Sequence, residues 1–211
     1  MSRPPARSGL FIVVEGPNGV GKTTSVGLLA DHMGAAGVPV HVTSEPSDAP
    51  LGRLVRHGEN GLTGRALALA VAADRYHHID TEITPALEAG ITVISDRYVQ
   101  SSLVLQRVDG LELDEIWQYN AHVRVPSLSC YLHHTPQELG KRLAQRDRLS
   151  RLEKKGSPEQ EIGLYLDAHR FLQGRRWHQA LINCRGLTPE QVTAELVRLV
   201  QRTARRREDD R

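Results

Sequence analysis

The chain has 211 residues, 39% of them hydrophobic, which is enough for one domain with a substantial core. Its 27 lysines and arginines nearly balance its 25 aspartates and glutamates, so the net charge does not indicate a broad nucleic-acid-binding surface. The start of the chain is followed by one short apolar run, residues 10–14, which is too short for a signal-peptide core or a membrane span. We therefore expect a cytoplasmic protein that binds neither membranes nor nucleic acid.

Short apolar runs then alternate with longer helical stretches, which is typical of a parallel sheet flanked by helices. Residues 10–14 predict a strand, and residues 22–36 predict a helix because apolar side chains recur there at helical spacing. Further strands are predicted at residues 38–42, 91–95, 129–132 and 181–183. The predicted fold class is α/β, in a single domain over residues 1–211.

Several helix boundaries have local signals. A long helix is predicted from residue 62 or 65 to residue 89, with Pro85 as a kink or a break. Thr135 and Thr188 are each followed by proline and, at the third position, by Glu or Gln, which predicts two capped helix starts. Residues 205–211 alternate basic and acidic side chains and are expected to be a frayed tail.

The strongest motif follows the first strand and opens the first helix. It matches the P-loop pattern GxxxxGK[ST] in full and comprises Gly16, Pro17, Asn18, Gly19, Val20, Gly21, Lys22 and Thr23. Glycines let backbone N–H groups close around phosphate oxygens, and the helix N-terminus adds a favourable dipole. Lys22 can neutralise the β- and γ-phosphates of ATP, and the Thr23 hydroxyl can bind Mg²⁺. We assign the motif, together with Thr24, to ATP binding.

A second signal stands at the end of the third predicted strand. Asp96 directly follows an apolar run and is expected to hold Mg²⁺, directly or through water, together with Thr23. Arg97 comes next, so an acid and a base would project from the carboxyl end of one strand. Open α/β sheets bind ligands at this edge, and we predict that Lys22, Asp96 and Arg97 act in catalysis.

An arginine-rich stretch lies after the helix start at Thr135. It contains Arg142, Arg146, Arg148 and Arg151 and predicts a catalytic lid over about residues 146–158. A guanidinium brought over ATP by such a lid would stabilise the transferred phosphoryl group and help to exclude water. A solvent-exposed helix face is the alternative interpretation of this charge run.

Other functions of a P-loop protein can be compared with this pattern. A Ras-like GTPase needs an NKxD segment, but the sequence has no Asn-Lys pair, and Val99 stands where a DxxG switch beginning at Asp96 needs glycine. A nucleoside kinase would need a carboxylate base beside a hydroxyl acceptor, and Glu15 or Glu45 could serve. A non-catalytic nucleotide sensor is a further alternative, although the intact phosphate-site residues favour an enzyme.

The sequence resembles the thymidylate kinase family over nearly the whole chain. The shared segments are FIVVEG (11–16), GKTT (21–24), Glu45-Pro46, PLG (50–52), ADR (73–75), PALEAG (85–90), DRY (96–98), Ser101-Ser102, Gln106, YL (131–132), Thr135-Pro136 and RLE (151–153). The resemblance implies a five-stranded parallel sheet, dependence on ATP and Mg²⁺, and a homodimer. It also implies that the acceptor is a nucleoside monophosphate such as dTMP or a related or modified nucleotide.

The resemblance also assigns roles to individual residues. Lys22 would bind the ATP phosphates, Arg97 would bridge the donor and acceptor phosphates, and Arg75 would face the acceptor base. The acceptor set implied by the resemblance is Asn18, Glu45, Val71, Arg75, Arg97, Ser102 and Leu105. Gly19 occupies a position where some members of the family carry arginine, which fits the members whose catalytic arginine comes from the lid.

The departures from the family pattern lie mainly in the acceptor pocket. Asn18 stands where the family has Asp or Glu, Val71 where an aromatic ring stacks on thymine, and Leu105 where tyrosine is common; Ser47 replaces a glycine, and Ser150 replaces an aspartate in the lid. A neutral hydrogen bond is about half as strong as a charge-assisted one, and a lost stacking contact costs about 1–3 kcal/mol. We therefore expect a rebuilt pocket and a poor kcat/KM with dTMP, with compensation by neighbouring side chains as the alternative.

Overall fold

The fold is given by a computed structural model that describes residues 8–58, 61–145 and 156–209. The strands within these ranges are β1 (Phe11–Glu15), β2 (Val40–Ser44), β3 (Thr92–Asp96), β4 (Leu128–His133) and β5 (Gln179–Asn183). They form one sheet of five strands in the order β2-β3-β1-β4-β5, and every pair in the described chain is parallel. The predicted α/β fold with a five-stranded parallel sheet is confirmed.

Helices cover both faces of the sheet. They are α1 (Lys22–Ala35), α2 (Pro50–Gly58), α3 (Gly64–His78), α4 (Thr84–Glu88), α5 (Val99–Leu105), α6 (Leu113–Gln118), α7 (Pro136–Ala144), α8 (Pro158–Gln173) and α9 (Pro189–Asp209). Successive strand residues point to opposite sides, so Phe11 and Val13 of β1 pack with α3, α5 and α8. Ile12 and Val14 pack with α1, α7 and α9. None of the helices in the described ranges has the length and apolar composition needed to cross a membrane.

The predicted long helix before β3 changes its geometry partway along. After α3 the chain forms a π-helical turn, Ile79–Ile83, and then continues as α4. Pro85 stands in the first turn of α4 and lacks the N–H that would bond to a carbonyl one turn earlier. The wider turn therefore lies directly before the proline, where the sequence predicts a kink or a break.

Both predicted Thr-Pro helix starts are confirmed. The Thr135 hydroxyl accepts from the backbone N–H of Glu138 at 3.4 Å. At the start of α9, the Thr188 hydroxyl accepts from the N–H of Gln191 at 3.3 Å, and the Gln191 side chain accepts from the N–H of Thr188 at 2.8 Å. The second start is a complete capping box.

Residues 205–209 are the described part of the expected frayed tail. α9 continues to Asp209, so the described residues of this tail are helical. Nη1 of Arg207 donates to the carbonyl oxygens of Ser8, at 3.3 Å, and Gly9, at 2.9 Å. These contacts tie the last turn of the helix to the segment before β1.

The strand order brings the two phosphate motifs to one crevice. The chain leaves β1 for β2 on one side of β1, returns through β3, and then crosses to β4 on the other side. Ligands bind at such a reversal, beyond the carboxyl ends of the strands. Val14 of β1 lies opposite Asp96 of β3 in the sheet, so the P-loop and the residues that follow β3 adjoin each other.

Candidate active site

The P-loop makes a tight turn between β1 and α1. Gly16 has φ 141°, and a Cβ there would lie 2.2 Å from the carbonyl oxygen of Leu132, so a side chain would not fit. Gly21, which precedes α1, has φ 103°. The turn leaves the N-terminus of α1 directed toward the crevice, as phosphate binding requires.

Lys22 folds back over the loop. Its Nζ donates to the carbonyl oxygens of Gly16 at 2.7 Å and Pro17 at 3.0 Å. Burial and the nearby Arg97 guanidinium lower the pKa of Lys22 to about 7, against the opposing effect of the Asp96 carboxylate. A polyphosphate bound beside Nζ would favour the ammonium form and raise this pKa again.

Nucleotide binding should therefore be linked to proton uptake by Lys22. At about pH 8.5 the amine is largely neutral before ATP binds and charged afterwards, so we expect an uptake of about one proton. Calorimetric titration with ATP in two buffers of different ionisation enthalpy measures this number. Lys22→Arg is the control because a guanidinium stays charged throughout, and its uptake should be near zero. Equal uptake by both proteins would contradict the assignment.

Thr23 and Asp96 form the pair expected to hold Mg²⁺. The Thr23 hydroxyl donates to Oδ2 of Asp96 at 2.6 Å. The other carboxylate oxygen, Oδ1, is buried and has no hydrogen-bond partner among the described residues. Hard oxygen donors of this kind suit Mg²⁺. No group of three or more His, Cys, Asp or Glu in the described chain could hold a metal by itself, so nucleotide oxygens and water would complete the shell.

Arg97 follows Asp96 and lies beside the P-loop. Its Nη2 donates to Oδ1 of Asn18 at 2.7 Å, and its Nη1 donates to the Ser101 hydroxyl at 3.1 Å. An arginine has only donors, so this bond fixes the oxygen of the Asn18 amide toward the guanidinium. The structure therefore brings Asn18 and Arg97 together, as the sequence predicts for residues of one phosphate site.

Glu15 lies fully buried at the end of β1. Its Oε1 accepts from the backbone N–H groups of Tyr98, at 2.7 Å, and Ser101, at 3.1 Å. Its Oε2 accepts from the Ser101 hydroxyl at 2.9 Å and from the Tyr165 hydroxyl at 3.3 Å. Burial raises the pKa of Glu15, and the positive charge of Arg97 opposes the shift. Both oxygens of this carboxylate are thus engaged by the protein.

Arg75 and Glu45 form a buried ion pair on the acceptor side. Nε of Arg75 donates to Oε2 of Glu45 at 2.7 Å, and the two side chains are 1% and 4% exposed. Nη1 of Arg75 donates to Oδ1 of Asn120, and Nη2 donates to the Tyr98 carbonyl oxygen at 3.3 Å. These contacts fix the guanidinium, and no sequence motif indicates that Asn120 takes part in them.

The other predicted acceptor residues lie on the neighbouring helices. Val71 is half-buried on α3, one turn before Arg75, so the two side chains share a helix face. Ser102 is buried on α5, and Leu105 ends that helix and packs against the core that contains Tyr98. Val71 therefore lies on α3, while Ser102 and Leu105 lie on α5, the helix that begins two residues after Arg97.

Comparison with known proteins places this site in a family. A family model described as thymidylate kinase matches residues 14–164, which include the P-loop, Arg75, Asp96 and Arg97. The chain belongs to the thymidylate kinase family. A probable thymidylate kinase from Caldivirga maquilingensis is 37% identical over 149 residues, which are 69% of this chain and 73% of that protein. A probable thymidylate kinase from Pyrococcus horikoshii is 40% identical, with 69% and 75% covered, and a thymidylate kinase from Leifsonia xyli is 39% identical, with 72% and 77% covered.

These matches confirm the family resemblance and the enzyme class. As a member of the thymidylate kinase family, the protein is a phosphotransferase and a nucleoside monophosphate kinase. The alternatives of a nucleoside kinase and a non-catalytic sensor are not favoured by these relatives.

One departure from the family pattern has a local explanation in the structure. Ser47 is fully buried, and its backbone N–H and hydroxyl donate to the two carboxylate oxygens of Asp74 at 2.8 and 2.6 Å. Asp74 precedes Arg75 on α3 and is 1% exposed. The serine therefore supplies a hydrogen bond to a buried carboxylate that glycine could not supply.

Ser47→Ala should lower the free energy of unfolding by about 1–3 kcal/mol, because it leaves a buried carboxylate oxygen without its donor. Urea denaturation of the two proteins measures this difference. Asp74→Ala and the double variant complete a cycle, in which the double variant should cost less than the sum of the single ones. An unchanged midpoint for Ser47→Ala would show that the bond contributes nothing.

His78 is buried near the acceptor side of the site, and no sequence motif indicates it. One ring nitrogen, Nε2, lies 2.8 Å from the Thr43 hydroxyl, and Nδ1 lies 3.5 Å from Oε1 of Glu45. Burial disfavours the charged ring, but Glu45 and Glu82 outweigh this effect and raise the pKa of His78. The ring thus lies beside Glu45 of the Glu45–Arg75 pair, at the last residue of α3.

The predicted lid arginines, Arg146, Arg148 and Arg151, and Ser150 lie outside the described residues. Arg142, the first arginine of that stretch, lies on α7. Its Nε donates to Glu138 at 3.1 Å, and its Nη1 lies 3.4 Å from the carbonyl oxygen of Gly19. An arginine thus reaches the outer side of the P-loop just before the lid segment begins.

Proposed function

We propose that this protein transfers the γ-phosphoryl group of ATP to dTMP, giving ADP and dTDP, with Mg²⁺ as the cofactor. The observation that carries the proposal is the convergence of Lys22, Asp96 and Arg97 at one edge of the sheet. The named relatives are thymidylate kinases or probable thymidylate kinases, which favours dTMP as the acceptor.

The chemistry proposed for these residues is positioning and charge neutralisation. Lys22 meets the β- and γ-phosphate oxygens, and Arg97 meets the phosphates of donor and acceptor. Thr23 and Asp96 hold Mg²⁺, which neutralises charge on the ATP phosphates when it is bound. The acceptor phosphate is already anionic, so no strong general base is needed to activate it.

The bonding of Glu15 supports a phosphate acceptor over a hydroxyl acceptor. Glu15 accepts from three groups of Tyr98 and Ser101 within 3.1 Å and from the Tyr165 hydroxyl at 3.3 Å, so both of its oxygens are engaged. This carboxylate would have to break buried bonds before it could take a proton from a nucleoside. Such a rearrangement costs several times the thermal energy.

The residues of the acceptor pocket bear on selectivity among nucleoside monophosphates. Asn18, Val71 and Leu105 replace side chains that the family uses on the base and sugar, so we propose that discrimination is weak. Poor use of dTMP, the stronger form of this expectation, stays a prediction. Neighbouring side chains that compensate for the changes remain its alternative.

A coupled assay of ADP formation over dTMP, dUMP, dCMP, dGMP, dAMP and thymidine tests both points. We expect turnover with dTMP and with at least one other monophosphate, and none with thymidine. A preference for dTMP of a hundredfold over all other acceptors would exclude the rebuilt pocket. Turnover of thymidine alone would replace the proposal with a nucleoside kinase.

We also propose a homodimer and a catalytic lid. Val42 on β2, Leu54 on α2 and Leu69 on α3 are apolar and 47%, 60% and 50% exposed in the single chain, and α2 packs against α3. Light scattering during size exclusion should give twice the mass of the chain.

Arg146, Arg148 and Arg151 are proposed to supply the positive charge of the lid. A cytoplasmic location is proposed for the enzyme.

A further inference from the structure

Arg97 has a backbone conformation that its own side chain disfavours. Its φ is 77°, in the left-handed region, which a non-glycine residue adopts only where its surroundings hold it there. The surroundings do so on both sides of the residue. The Arg97 N–H donates to the carbonyl oxygen of Val14 at 3.1 Å, and the Ser95 hydroxyl donates to the Arg97 carbonyl oxygen at 2.6 Å.

The guanidinium of Arg97 is held as firmly as its backbone. Nη2 donates to Oδ1 of Asn18 at 2.7 Å, while Nη1 donates to the hydroxyls of Ser101, at 3.1 Å, and Tyr165, at 3.3 Å. Of these partners, Tyr165 lies on α8, 68 residues after Arg97 in the sequence. Its side chain is buried, with 4% of the residue exposed.

A second residue of α8 reaches the same place. Glu161 lies one turn before Tyr165, so the two side chains share a face of the helix. Oε1 of Glu161 accepts from the backbone N–H of Asn18 at 3.0 Å. The contacts therefore close a ring, from Glu161 to Asn18, from Asn18 to Arg97, from Arg97 to Tyr165, and back along α8.

The donor and acceptor roles around Arg97 follow from the chemistry of the groups. Arginine has only donors, so the Tyr165 oxygen accepts from Arg97, and its own proton has two acceptors 3.3 Å away, Oε2 of Glu15 and the Ser101 hydroxyl. Burial raises the pKa of Tyr165 well above its ordinary value, so the hydroxyl keeps this proton at neutral pH. The three contacts of Arg97 use three of its five N–H groups and leave one on Nε and one on Nη2.

We propose that Tyr165 and Glu161 are positioning residues that set the orientation of the Arg97 guanidinium toward the phosphate of the acceptor. The proposal deepens the proposed function and rests on it. Two contacts from α8 fix the guanidinium. Tyr165 accepts a hydrogen bond from Nη1 of Arg97, and Glu161 accepts one from the N–H of Asn18, whose side chain bonds to Nη2. The two remaining N–H groups are then directed to phosphate oxygens in a fixed geometry, which is the arrangement that makes arginine an effective phosphate ligand.

Tyr165→Phe tests the proposal because it removes one hydroxyl and keeps the ring that packs against Tyr131 at 6.4 Å. Affinities for dTMP and thymidine are measured on the full chain, by calorimetry and by competition. We expect the affinity for dTMP to fall about five- to tenfold, since Arg97 loses its hydrogen bond to the Tyr165 hydroxyl. The affinity for thymidine, which has no phosphate, should stay unchanged. The KM for ATP should change less than twofold.

Tyr131→Phe is the matched control. Tyr131 is also a buried tyrosine, but its hydroxyl bonds to Gln179 at 2.7 Å, away from Arg97. This variant should bind dTMP and thymidine like the wild-type protein. If Tyr165→Phe binds dTMP as tightly as the control, or loses affinity for dTMP and thymidine alike, the positioning role is wrong.

Variants of Glu161 provide a second test, which does not require Tyr165→Phe to fold. Glu161→Ala removes the acceptor for the Asn18 N–H and should weaken dTMP selectively, whereas Glu161→Gln keeps an oxygen there and should restore most of the affinity. Equal behaviour of the two variants would contradict the proposal. A wild-type protein that does not bind dTMP would instead overturn the proposed function, so the two failures are distinguishable.

Discussion

Arg97→Ala is expected to lower kcat/KM for the monophosphate acceptor by about a thousandfold, the lower end of the range for arginines that stabilise a transferred phosphoryl group. The side chain is buried beside Asn18 and Ser101, and no other described guanidinium contacts both the P-loop and the residues after β3. Steady-state kinetics with each substrate varied in turn measure the loss. The variant's far-ultraviolet circular dichroism should match that of the wild-type protein.

Arg97→Lys is the control for charge alone. An ammonium restores the positive charge but cannot bond to Asn18, Ser101 and two phosphate oxygens at once, so we expect an activity between those of the wild type and the alanine variant. A loss of less than tenfold for Arg97→Ala would contradict the role proposed for this residue.

Arg75→Met is expected to lower the free energy of unfolding by about 3–5 kcal/mol, because it leaves the Glu45 carboxylate buried without its partner. The pair is 2.7 Å apart and nearly inaccessible to water. Methionine has a similar length and no charge, so the effect reports the ion pair more than a cavity. Guanidinium or urea denaturation, fitted with a common slope, gives the difference.

The double variant Glu45→Gln/Arg75→Met removes both charges and should recover a large part of this loss. Both Arg75→Met and the double variant should have a higher KM for the acceptor than the wild-type protein, since Arg75 is proposed to face the base. A loss below about 1 kcal/mol for Arg75→Met would mean that water or another cation compensates for the buried carboxylate.

The phosphate side of the site was predictable because its signals are local. The P-loop glycines and Lys22 fall within eight consecutive residues, and Asp96 and Arg97 follow an apolar strand directly. The parallel order of strands then brings the two motifs together at their carboxyl ends, as the general rule for α/β sheets requires. No side-chain contact had to be known in advance.

The contacts that hold these residues could not be predicted in the same way. Asn120, Tyr165 and Glu161 come from segments far along the chain, and only the packed fold places them beside Arg75, Arg97 and Asn18. α5 also gives a weak helical signal, since Gln100, Ser101 and Ser102 are polar and yet buried. The burial of Gln100 and Ser101 depends on β4 and Glu15, which accept their hydrogen bonds.

Strand β2 shows the same limit at the level of secondary structure. Hydrophobicity predicts residues 38–42, whereas the strand is Val40–Ser44. Thr43 and Ser44 join it because they pair with Ser95 and Asp96 of β3. Pairing with a neighbour, and not the apolar pattern, decides where this strand ends.

Phosphoryl transfer to dTMP can be followed with ATP that carries radioactive phosphorus at the γ-position. With dTMP as the acceptor and Mg²⁺ present, we expect label to appear in dTDP in equal amount to the ADP formed, and we expect Lys22→Ala to abolish the transfer. Label released only as inorganic phosphate, or found only in dTMP when thymidine is the acceptor, would contradict the assignment as a nucleoside monophosphate kinase acting on dTMP.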